Sequence, residues 1–232
     1  MNEKKYLLTV VLAIICAGFL MGQKVQNRET DPFDQITVFG KLEVYIQKGS
    51  KTNVKLESDE IDLDNITTRT DGKELKISLS EKLLSNTKKA KITITYNSIK
   101  KISANAGSEV NTVDTLVGKG FELESFSGSS LYVYAKCDSI DIDISSGSLV
   151  SIEGTAGQLD IEVGTRATFS GYEFICNNAN VKANSGGLAK VKVTGSLNAS
   201  ATTKGNIIYD GEPKMKKVKE TLGGKVEMLT EQ

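Results

Sequence analysis

This sequence predicts an all-β fold, a parallel β-helix (solenoid) with a β-rich section ahead of it, on three observations. Apolar and polar residues alternate in segment after segment, and no segment sustains a helical period. Gly, Asn and Ser punctuate the segments, with 21 glycines against 2 prolines. From about Ile99 onward an alternating strand, a small turn and a second alternating strand recur every ~20 residues. The aromatic content of 6%, with no Trp, leaves a core of Ile, Leu, Val and Ala, which suits narrow, layered β architectures.

Residues 1–22, MNEKKYLLTVVLAIICAGFLMG, place Lys4 and Lys5 ahead of an apolar run from Tyr6 to Leu20. That run falls short of the ~20 residues of a comfortable membrane span, and a polar stretch follows at once. The pattern is that of a secretory signal cleaved after Gly22. A retained anchor is the alternative, and lipidation at Cys16 is disfavoured because Ile15 is large and β-branched. Residues 23–32 read as a polar linker.

The section 33–98 alternates in strand fashion through ITVFGKLEVYIQKG, VKLES, ELKISLS and AKITITY. In LEVYI, Leu42, Val44 and Ile46 share one face while Glu43 and Tyr45 share the other. Asp71-Gly72 signals a tight turn ahead of ELKISLS, and residues 81–90 read as a loop or one short turn.

Residues 99–213 carry the repeat. With Gly107, Gly128, Gly147, Gly164, Gly186 and Gly205 as centres, the steps are 21, 19, 17, 22 and 19 residues. The third residue after each centre is Val110, Leu131, Val150, Ala167, Ala189 and Ile208; the fifth, in the first five units, is Thr112, Val133, Ile152, Phe169 and Val191. Upstream of the centres, Phe121, Ile140, Leu159, Ala179 and Leu197 form one column, and Leu123, Ile142, Ile161, Val181 and Ala199 the next. Stacked coils need such columns, because each side chain sits on its equivalent in the next rung. A sandwich or barrel also shows regular strand spacing, but neither requires the same residue class at the same place in every unit. The tail, 214–232, with Lys214, Lys216, Lys217 and Lys219, reads as a polar cap.

At these residues the chain resembles the putative auto-transporter adhesin, head GIN domain family of exported bacterial proteins. The resemblance runs from about Phe33 to Pro213. It is carried by FDQITVFGKLEVYIQKG, by KITITYNSIKKISANAGSEV, by the turns Ser127-Gly128-Ser129 and Ser146-Gly147-Ser148, and by GNIIYDGEP. The chain departs from the family pattern at Asn97-Ser98, where a Pro is usual, and at Val163-Gly164-Thr165 and Thr203-Lys204-Gly205, where the Ser-Gly turn has decayed. The resemblance implies a right-handed parallel β-helix and an adhesin role, and it brings no catalytic residues with it.

The chemistry of the residues points the same way. With 29 basic and 29 acidic residues the chain has no net charge, which argues against nucleic-acid binding. It has no His, the commonest general base and metal ligand. The SGS serines lack a neighbouring base and read as small turn residues rather than nucleophiles. The glycines are spread through the units rather than gathered into a phosphate-binding loop. Cys137 and Cys176 fall in units two apart, roughly 10 Å along a stack. That is too far for a disulfide, so two separate thiols acting as small buried hydrophobes are expected.

One constellation stands out. Glu122, Asp141 and Asp160 occupy one outward column and Glu124, Asp143 and Glu162 the next. In parallel rungs, successive carboxylates would lie about 4.8 Å apart, and like charges facing one another destabilise a sheet. Two readings follow: a shallow patch for Ca²⁺ or a cationic surface, and a hydrated acidic face. Near-parallel side chains favour the second, since Ca²⁺ takes six to eight convergent oxygens. No other cofactor is implied. The expectation is an exported, non-catalytic adhesion or interaction module, at the periplasm, the outer-membrane surface or secreted. Its partner would be a protein or glycan, self-association is open, and membrane contact would come only through a retained signal segment. A β-helical polysaccharide lyase or hydrolase is the alternative.

Overall fold

The element that sets the architecture is a tight turn in which two successive residues adopt positive φ. These pairs are Ala106-Gly107, Ser127-Gly128, Ser146-Gly147, Thr165-Arg166, Ser185-Gly186, Thr203-Lys204 and Leu222-Gly223. Their second residues are spaced 21, 19, 19, 20, 18 and 19 residues apart, a more even period than the sequence centres suggested. Gly164 and Gly205 are therefore not turn centres: the left-handed positions fall on Arg166 and Lys204, with φ of 59° and 61°. Each turn stacks on the next through one backbone bond, as in Gly128 N–H to Ser146 O at 3.0 Å and Gly147 N–H to Thr165 O at 3.0 Å. The following position is small in every turn: Ser108, Ser129, Ser148, Ala167, Gly187, Gly205 and Gly224. At Gly187 and Gly205 an added Cβ would strike backbone of the preceding rung. The SGS serines are thus corner residues; Ser129 Oγ donates to Ala104 O at 2.7 Å.

The computed structural model describes residues 24–84 and 89–230, so residues 1–22, expected to be a secretory signal, lie outside the described residues. In chain order the strands are β1 (Lys24–Glu29), β2 (Gln35–Phe39), β3 (Leu42–Lys48), β4 (Asn53–Ser58), β5 (Ile66–Asp71), β6 (Glu74–Leu79), β7 (Ala90–Tyr96), β8 (Lys101–Asn105) and β9 (Glu109–Thr112). There follow β10 (Leu116–Ser125), β11 (Ser130–Ile144), β12 (Leu149–Val163), β13 (Thr168–Ala183), β14 (Leu188–Thr202), β15 (Asn206–Asp210), β16 (Met215–Thr221) and β17 (Lys225–Met228). Among the described residues there is no α-helix, only single 3-10 turns at Leu63–Asn65 and Glu81–Leu83. The parallel β-solenoid expected from the sequence is present.

A rung has a first face before its turn and a second face after it, joined to the next rung by a short linking stretch. In β12 the inward side chains are Val150 and Ile152, then Ala156, then Leu159, Ile161 and Val163. Inward parity changes between Ala156 and Leu159, where Gly157 and Gln158 turn the chain. The upstream columns are as read from the sequence: Ile140 pairs with Leu159, Leu159 with Ala179, and Ala179 with Leu197. Downstream, two rungs differ. Phe169, not Ala167, follows Val150, and Ile207, not Ile208, follows Ala189. Phe169 also leaves the next column to Gly171, whose missing side chain makes room for the Phe169 ring.

The N-terminal section is part of the stack, but out of sequence order. β2 lies parallel between β6 and β8, and β3 parallel between β7 and β9. Beyond them β5 and β4 run antiparallel to β6 and β7, and β1 runs antiparallel to β4. Residues 24–29, read as linker, form β1 because its backbone pairs along β4. The Arg28 guanidinium holds it, donating to Ile66 O, Leu63 O and Thr68 Oγ1. No apolar periodicity marks such a strand. At the other end, β16 and β17 add a further turn, with Lys216 and Glu220 in the inward columns below Leu197 and Ala201. Lys216 Nζ donates to Tyr209 OH at 2.8 Å, closing the stack with polar groups.

Gly154 has φ of 121°, and a Cβ there would overlap the Ala135 carbonyl. Gly154→Ala should lower stability in chemical unfolding by roughly 2 kcal/mol or more. Arg166→Gly should cost nothing, or stabilise by up to about 1 kcal/mol, by relieving a left-handed non-glycine residue.

Candidate functional site

The acidic columns come together on the outer side of the first face. β10, β11 and β12 pair in parallel register, setting Glu122 beside Asp141 and Asp141 beside Asp160; Glu124, Asp143 and Glu162 form the adjacent column. Alternation turns the intervening Leu123, Ile142 and Ile161 inward, so the core anchors the acidic side chains' backbone. The six carboxylates line an open groove of about 450 Å³, together with Asn180 and Lys182.

Both ends of the ladder are compensated in part, by residues that sequence reasoning passed over. Lys101, one rung earlier, reaches both columns, at 2.7 Å to Glu122 and 2.6 Å to Glu124. Burial tends to lower its pKa, but hydrogen bonds to the two glutamates outweigh that and raise it. On the other side Asn180 donates to Asp160 at 2.6 Å, Gln158 donates to Asp160 at 3.0 Å, and Asn184 donates to Glu162 at 3.3 Å. Lys182 lies 3.8 Å from Glu162. The signal was available: extending the two columns by one unit lands on Lys101 and Ser103 on one side and on Asn180 and Lys182 on the other.

The middle rung is different. Among the described residues, Asp141 and Asp143 have no hydrogen-bonded or cationic partner. The pKa of each is raised, first by desolvation and then by the carboxylates above and below: Asp160 and Glu122 for Asp141, Glu162 and Glu124 for Asp143. The ladder is therefore acidic at its centre and compensated at its ends. Among the described residues no three His, Cys, Asp or Glu side chains gather into a set that could hold a metal ion; the ladder's oxygens are spread along two columns rather than converging.

The two cysteines are free. Cys137 pairs with Ala156, and Ala156 with Cys176, so they lie two rungs apart as expected. Cys176 is fully buried, but Cys137 is only half-buried, because it lies in the second linking stretch, against the uncovered Gly118. Desolvation pushes Cys137 up to about 11 and Cys176 up to about 12. Alkylation at pH 8, mapped by mass spectrometry, should leave both unmodified in the folded protein and label both in denaturant.

A raised carboxyl pKa means that folding favours the protonated form. Stability from this source is full below the unfolded pKa and is lost as pH rises through the folded one. At pH 7 Asp141→Asn/Asp143→Asn should therefore raise the thermal midpoint. After solvent screening the gain should be at most ~1 kcal/mol, and it should vanish on acidification below the carboxylate range.

A family model described as "Putative auto-transporter adhesin, head GIN domain" matches residues 32–213. Among solved structures, a putative adhesin from Bacteroides fragilis NCTC 9343 is similar with a TM-score of 0.80 and 17% identity, over 90% of this chain and 97% of that one. A putative adhesin from Parabacteroides distasonis ATCC 8503 gives 0.70 and 15%, over 90% and 97%. A putative lipid binding protein from the same strain gives 0.65 and 15%, over 90% and 97%. At these identities the likeness is one of fold. No curated protein is matched by the sequence.

Proposed function

The chain belongs to the putative auto-transporter adhesin, head GIN domain family, and from this premise we propose that it is an exported, non-catalytic interaction module. Its solenoid is a rigid scaffold that presents an outer face to a protein or glycan at a cell surface. The observation that carries this reading is the groove over Asp141 and Asp143: an exposed, ordered acidic patch with compensating groups at its ends and none at its centre. A cationic group of a partner, lysine or arginine, fits such a patch as a point or fork of charge between two carboxylate columns. Ca²⁺ is the less suited guest, because it requires oxygens that converge.

The alternative, an enzyme acting on polysaccharide, needs two carboxyls held in different environments across a cleft. The ladder instead sets like beside like on one open face. The adhesin designation and the structural likeness to adhesin-named proteins support the non-catalytic reading and a location outside the cytoplasm.

The test titrates the purified protein with an oligolysine peptide and with Ca²⁺, and assays it for polysaccharide cleavage. Saturable oligolysine binding is expected, weakened at least tenfold by Asp141→Asn/Asp143→Asn and reduced by added salt. Heat from Ca²⁺ that the double substitution abolishes would make the ladder a metal site instead. Release of reducing ends or unsaturated sugars would overturn the non-catalytic reading.

A further inference from the structure

We propose that a notch at the start of the linking side is a docking site for an extended, acidic peptide strand of a partner protein. Within the regular stack, linking stretches pair on both flanks: residues 135–139 of β11 lie between 116–120 of β10 and 154–158 of β12. The first stretch, 116–120, is paired on one flank only. β10 meets β8 from Glu122 onward, and among the described residues no backbone hydrogen bond joins 116–120 to the loop 97–100. The out-of-order N-terminal strands extend the first and second faces, but among the described residues no strand extends the linking side.

The step leaves a groove of about 510 Å³ between this free edge and the Tyr96–Lys100 segment. Its floor is nearly bare backbone at Gly118 and Gly120, over the buried Phe121 ring, and Val117 is 69% exposed beside them. An unpaired edge with two glycines and an exposed valine is a template for strand addition.

Charge selects the occupant. Lys48, Lys100 and Lys119 line the groove. Lys100 is engaged by Asp34 at 2.8 Å, whereas Lys48 and Lys119 have no ion pair among the described residues. The acidic group at the rim, Asp114, accepts from the Lys48 backbone N–H at 2.9 Å. Two uncompensated ammonium groups over a free strand edge suit a peptide with acidic side chains. A peptide, unlike a glycan, also supplies the alternating N–H and C=O groups that the edge lacks.

The experiment measures fluorescence anisotropy of a labelled peptide of alternating Glu and Val, against an analogue N-methylated at alternate residues and against oligogalacturonate. The peptide should bind saturably and slow hydrogen exchange at residues 116–120. N-methylation on the pairing edge should abolish binding. Lys48→Glu/Lys119→Glu, both exposed and with an unchanged thermal midpoint expected, should weaken binding at least tenfold. Asp141→Asn/Asp143→Asn should leave it unchanged, which separates this site from the acidic groove. Equal binding by the N-methylated peptide, tighter binding of oligogalacturonate, or no peptide binding at millimolar concentration would each overturn the proposal.

Discussion

The fold depends on the close passage of one turn over the next. At that corner a backbone N–H of each rung reaches the carbonyl of the rung above it, so the turn following cannot carry a bulky side chain between them. Two residues with positive φ make the chain reverse within that space, and the next position stays at Ser, Ala or Gly. Once this corner is fixed, every strand leaves it in the same register, and a one-residue slip would turn a whole apolar column outward. The columns of Leu, Ile and Val are thus a consequence of the corner as much as a cause of the stack.

The same register builds the acidic face. Strand pairing that places Ile142 on Ile161 must also place Asp141 on Asp160 and Asp143 on Glu162. The repulsion is held in position by core packing on the opposite side of the sheet, and neither aspartate can move away without disturbing the buried isoleucine next to it. Lys101, Asn180 and Lys182 show how the sequence relieves such a stack where it is to be relieved. Among the described residues no similar group stands at the middle rung, and on the proposed function this is where a partner's charge would sit.

The sequence made the solenoid and the ladder legible because both depend on recurrence in the chain. It misplaced two turn centres because glycine is an imperfect marker of positive φ: Arg166 and Lys204 adopt it, held by neighbouring turns, while Gly164 and Gly205 are small for a different reason. It missed β1 because that strand is held by backbone pairing and by Arg28, neither of which leaves an apolar period. Phe169 stands one column away from where counting from Gly164 puts it, because its bulk is matched by Gly171, a compensation between positions rather than within one. The half-exposure of Cys137 depends on where the linking side begins, which no local pattern records.

That starting point follows from the order of the N-terminal strands. β2 and β3 are threaded between β6–β7 and β8–β9, so the chain must pass over a completed rung to begin the next. This arrangement protects the end of the core, since β4 and β5 can then lie antiparallel across it with β1 beyond. It also means that the early rungs are closed by loops and 3-10 turns rather than by a linking strand. The first linking strand, 116–120, therefore emerges with one flank unpaired. In a regular solenoid both ends expose edges on every side; here two sides are extended by further strands and the third is left as a step. The step proposed to accept another strand is thus the by-product of the way the N-terminal strands extend the other two sides.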